Sequence, residues 1–176
     1  MADEDLPFEL RRAGGDYLDA LRSLGLEPEG LAWARVHVPV EGPIESWRLG
    51  DWHLVLVTSF VDEAGPLALN EVLFKAFAAS ATPQSVSPFI VDVVSTKASI
   101  AREIMSAMTS DPIFSATIRT ADGTTSTVTG EGGMTQIAGL WFRRMWVYAT
   151  SAPAKSFKQR RESWLHFKQQ VNARAA

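Results

Sequence analysis

Two side chains in this sequence have the types and the setting for proton chemistry, His53 and Asp92. A carboxylate that holds an imidazole fixes which ring nitrogen carries the proton and tunes how readily the other accepts one, which is what general acid–base catalysis requires. Asp92 stands between Val91 and Val93 in an apolar run. A carboxylate enclosed there needs donors or a displaced pKa. The catalytic pair forms only if the strands carrying His53 and Asp92 are neighbours. Otherwise a structural hydrogen bond to a loop accounts for Asp92.

Ser95-Thr96-Lys97 follows at the hand-over from a strand to a helix. Free backbone N–H groups at such a junction, with a lysine beside them, can bind a phosphate or carboxylate. Ser and Thr are also the ordinary capping residues there, and no glycine-rich phosphate loop accompanies them. Gly130-Glu131-Gly132-Gly133 lacks the spacing of a dinucleotide loop and reads as a turn.

The six tryptophans are many for 176 residues. Most belong in the core, but Trp33 alternates with Arg35 and His37 on one strand face, and Trp141 sits beside Arg143 on another strand. Aromatic and arginine side chains together anchor ligands and interfaces, so these five residues are candidate ligand contacts. His37, His53 and His166 are too scattered to make a metal site by spacing, and no metal or cofactor is expected. The chain has no cysteine, which removes thiolate catalysis, disulfides and every cysteine-ligated cluster, and fits a reducing, cytoplasmic setting.

Net charge is −3, unevenly spread. From Arg143 onward eight Lys or Arg face one acid, Glu162, while residues 1–142 carry a net −10. Within the basic end, a helix is expected over 154–173, with Phe157, Trp164 and Val171 recurring at sevens and Phe167 widening the stripe. Such a helix can attract nucleic-acid phosphates or an acidic membrane. It can equally dock by its aromatic stripe on its own sheet or on a second copy. The acidic remainder repels phosphates, so nucleic acid is disfavoured and a homodimer contact preferred.

These residues need elements to position them. Apolar spacings of three and four from Leu6 to Leu26 predict a helix that Gly14-Gly15 could split. Alternation predicts a strand over Leu31–Val38, with Ala32, Ala34, Val36 and Val38 on one face. Turns are expected at Glu41-Gly42-Pro43 and at Gly50-Asp51, the second separating Trp47–Leu49 from a central strand in Trp52–Val61. Gly65-Pro66 opens a buried helix to Ala79, Phe89–Val94 is a strand, and Ile100, Ile104 and Met108 stripe a short helix. Asp122-Gly123 turns a hairpin, and Leu140–Ala149 is a long aromatic strand. The sum is one α+β domain over 1–176, a mostly antiparallel sheet of five to six strands with helices packed on it. The element order is similar to GAF/PAS-like sensory folds and small chaperone folds, an analogy of order alone.

The acidic start lacks the basic-then-apolar pattern of a secretory signal. No apolar run approaches the roughly 20 residues of a membrane span. The function expected first is therefore a non-enzymatic binding or regulatory protein that holds a partner protein or small ligand through its aromatic sheet face. The alternative is a small enzyme using His53 and Asp92 with an anion site at Ser95–Lys97, and nucleic-acid binding through the basic helix ranks third.

Overall fold

The computed structural model describes residues 6–38, 48–98, 101–102, 104–105, 115–119, 125–129, 135–137, 140–148, 150 and 155–175, with residues 36–38, 48–49, 115–119, 125–129, 135–137 and 140–144 described by backbone pairing alone. The described elements run α1 (Phe8–Ser23), β1 (Gly30–Val38), β2 (Arg48–Val57), α2 (Phe60–Ala64), α3 (Pro66–Ala78), β3 (Val91–Val94), β4 (Ser115–Arg119), β5 (Thr125–Thr129), β6 (Thr135–Ile137), β7 (Leu140–Tyr148) and α4 (Phe157–Ala175). Residues 101–102 and 104–105 are also helical. The class is α+β.

The described strands divide into two sheets. One is five-stranded in the order β3-β2-β1-β7-β6, and β4 with β5 forms a separate antiparallel hairpin. The larger sheet is mixed, because β3 runs parallel to β2 while β1 pairs antiparallel with both β2 and β7. This differs from the single, mostly antiparallel sheet expected from the strand spacing. The parallel edge arises because α2 and α3 carry the chain from the end of β2 back to the start of β3, as a parallel connection requires.

Helix α1 passes through Gly14-Gly15 without a break. Gly14 is there for a close approach: a Cβ would collide with the Tyr148 hydroxyl and come within 2.5 Å of Trp33 Nε1. The helix stops at Gly25, whose φ of 88° is open to glycine at little cost. The Gly25 N–H donates to Arg22 O and the Leu26 N–H to Leu21 O, while Leu21 and Leu26 are both fully buried. Arg22 then grips Glu27 with two hydrogen bonds, at 2.7 and 2.9 Å, across this turn.

The main core lies between the sheet and the helices. Tyr17, Leu18 and Leu21 of α1, Leu69, Leu73 and Ala76 of α3, and Trp164, Phe167 and Val171 of α4 close over Leu31, Trp33, Leu54 and Leu56. Phe60 of α2 is the keystone, its ring 5.6 Å from Trp164 and 5.9 Å from Phe167. The opposite sheet face carries a smaller cluster of Ala32, Ala34, Val55, Val57, Val94 and Met145 beneath Ala101 and Ile104.

Gly50-Asp51 is not a turn. Strand β2 runs through it, and the pairing jumps from Arg35 with Trp52 to His37 with Leu49, one residue more on β2 than on β1. That is a bulge, for which glycine is as apt as for a turn. Phe89 and Ile90 belong to a 3-10 turn (Pro88–Ile90) ahead of β3. The turns expected at Glu41–Pro43, Asp122-Gly123 and Gly130–Gly133, and Ile100 and Met108 of the expected helix stripe, lie outside the described residues.

Candidate functional site

His53 and Asp92 lie on adjacent strands. Val55 of β2 is in register with Asp92 of β3, so His53, two residues earlier, shares the face of Asp92 one step diagonally away. The side chains meet with His53 Nδ1 2.9 Å from Asp92 Oδ2. They are 21% and 32% exposed, neither sealed in the core nor fully solvated. Both belong to the face of Ala34 and Met145, since Ala34 is the cross-strand partner of His53 on one side and of Met145 on the other. With the carboxylate ionised, Nδ1 donates and Nε2 is left as the basic nitrogen. Among the described residues, the side chains of His53 and Asp92 make no other hydrogen bond.

At the strand-to-helix junction an anion is already present, and it belongs to the chain. Asp62 of α2 accepts hydrogen bonds from Ser95 Oγ at 2.7 Å and Thr96 Oγ1 at 3.2 Å, and Lys97 Nζ lies 3.5 Å from the same carboxylate. Partial burial alone would raise the Asp62 pKa, but the Ser95 hydrogen bond, the Lys97 charge and the Thr96 hydrogen bond outweigh it, and the net direction is down. A phosphate would have to displace Asp62. The Ser95 hydroxyl also accepts from the Lys97 backbone N–H, closing a capping turn.

The aromatic face expected to meet a ligand is the main core. Trp33 is 0% exposed. Leu31 and Trp33 face the main core beneath α1, α3 and α4, and Ala32 and Ala34 face the second cluster, so over Leu31–Ala34 both sides of β1 are buried. Arg35, half-buried, donates to Gly50 O at 3.3 Å and sits 5.8 Å from the Trp52 ring centre. The backbones of His37 and Trp141 pair across β1 and β7, while Arg143 lies where the register shifts between the Ala34–Met145 and Val36–Phe142 pairs. The side chains of His37, Trp141 and Arg143 fall outside the described residues.

Of the stripe expected to form an interface, Trp164 and Val171 pack within their own chain. Phe157 stays outside that cluster and is 64% exposed, with the Arg160 guanidinium 6.0 Å from its ring centre.

Sequence reasoning missed Asp62, which stands 33 residues before Ser95 and is marked by no local signal. It also missed the Tyr148 hydroxyl, which donates to Arg11 O at 2.6 Å and ties β7 to α1. Two consecutive glycines in an otherwise helical pattern were the available clue to that contact. Among the described residues, no three His, Asp or Glu cluster closely enough to hold a metal ion. Comparison with protein-family models, with curated proteins and with solved structures finds no match to this chain.

Proposed function

We propose that the protein uses His53 and Asp92 as an acid–base pair acting on a small ligand bound at the open part of the second sheet face. The observation that carries this reading is the 2.9 Å contact between Nδ1 and the carboxylate, with both side chains partly exposed. A pair serving only to satisfy a buried charge would be enclosed. Here Asp92 orients the ring, Nε2 takes a proton from a bound hydroxyl, water or acidic C–H, and the imidazolium formed is stabilised by the carboxylate. Neither Ser95 nor Thr96 serves as the nucleophile in this scheme, because Asp62 holds both hydroxyls.

The test is a fragment screen read on the histidine ring signals by NMR. Fragments that shift the His53 signals in the wild type and lose affinity in Asp92→Asn support the reading. A screen whose binders all leave His53 untouched overturns it.

A non-enzymatic binding role as a homodimer is the second reading. Trp33 no longer supports it, but Phe74 and Phe89 do: their rings stack edge to face at 4.9 Å, and Phe89 is 81% exposed. Exposed aromatic pairs of this kind are common interface anchors. Light scattering on the wild type and Phe89→Ser decides it, a dimer lost in the variant being the supporting result.

A further inference from the structure

We propose that the outer flank of α4 is a docking surface for an anionic lipid bilayer. The helix packs Trp164, Phe167 and Val171 inward. Along its exposed side Phe157, Arg161, Leu165 and Lys168 follow one another at spacings of four, four and three, a single stripe about 17 Å long in which apolar and cationic side chains alternate. Phe157 and Leu165 remain 64% and 49% exposed. Lys158 borders the stripe and lies 3.9 Å from Glu162, with both groups largely solvated.

That alternation selects the partner. A helix lying in a membrane interface buries apolar side chains to the level of the acyl boundary while its lysines and arginines meet lipid phosphates. Against a nucleic acid the cations would be matched, but Leu165 has no ring to stack on a base and would stay in water. Residues 1–142 carry a net −10, so the cationic end of the chain is the part that meets an anionic surface. No described helix is long and apolar enough to cross a bilayer, and the association is peripheral.

The experiment is co-sedimentation of the full chain with phosphatidylcholine vesicles made with and without phosphatidylserine, at low and high salt. Wild type is expected to bind only the phosphatidylserine vesicles and to be released by salt. Arg161→Gln with Lys168→Gln is expected to weaken binding roughly thirtyfold, Phe157→Ser with Leu165→Ser to weaken it as well, and Lys75→Gln on α3 to leave it unchanged. Far-UV circular dichroism confirms that each variant is folded. Failure of the wild type to bind, equal binding to neutral vesicles, or unchanged binding by the Phe157/Leu165 double variant overturns the proposal. Preferential binding to duplex DNA over the anionic vesicles overturns it equally.

Discussion

Asp92 stands in register with Val55 on the neighbouring parallel strand, and its carboxylate reaches back along the sheet to His53 Nδ1 at 2.9 Å. Two residues 39 positions apart are thereby joined by the only parallel pairing among the described strands. Because both are partly exposed, the contact contributes little to folding. Asp92→Asn is expected to change stability by less than about 1 kcal/mol, as read by urea unfolding, which leaves the variant usable for functional tests. A loss of several kcal/mol would mean that the pair is structural.

Asp62 supplies an acid-sensitive contribution. Its folded pKa lies below the ordinary value of 3.8, so the stabilisation is fully present above that value and is lost as the pH falls through the folded one. Asp62→Asn is expected to cost about 1 kcal/mol near neutral pH. The melting temperatures of wild type and variant should converge in strong acid, and a difference independent of pH would refute the assignment.

At the alkaline end the corresponding group is Tyr148. Burial pushes its phenol up to about 12, partly opposed by the nearby Trp33 N–H and the Arg11 charge. A raised folded pKa means that the contribution is intact below the ordinary value of 10 and disappears as the pH climbs through about 12. Tyr148→Phe removes the bond to Arg11 O and should cost about 1 kcal/mol at neutral pH. Denaturant midpoints of the two proteins should draw together as the phenol ionises.

Two glycine positions in and after α1 should respond oppositely to helix propensity. Alanine normally stabilises a helix interior by about 1 kcal/mol over glycine, yet Gly14→Ala would drive a methyl into Tyr148 and Trp33, at a net loss of about 1–3 kcal/mol. Gly25→Ala is strained twice, by its φ of 88° and by the His166 ring 2.7 Å from the new Cβ. Gly15→Ala, whose Cβ would meet Tyr148 only at 4.0 Å, is the control and should be neutral or stabilising. Thermal unfolding of the three variants checks the order.

Local signals were legible in the sequence. Pro66 at the first turn of α3, Gly25 after α1 and the alternation that pairs β4 with β5 are each encoded within a few residues. What escaped was set by distant partners. The Gly50-Asp51 bulge looks like a turn until the register of β1 is known. Trp33 beside Arg35 and His37 looks like an exposed face until three helices cover it. Strand β6 has three residues and no periodicity to read. The His53–Asp92 pair was conceivable from residue types, but only the adjacency of β2 and β3 joins it. Asp62 capturing Ser95 and Thr96 had no signal at all, because its partners lie on another element.

The most direct test is the tautomeric state of His53, measured by long-range proton–nitrogen NMR on the neutral imidazole. If Asp92 prepares the ring for proton transfer, His53 in the wild type carries its proton on Nδ1 alone with Nε2 unprotonated, and Asp92→Asn gives a mixture of tautomers while His166 is unchanged. A wild-type His53 protonated on Nε2, or a tautomer ratio indifferent to Asp92→Asn, would contradict an acid–base role for the pair.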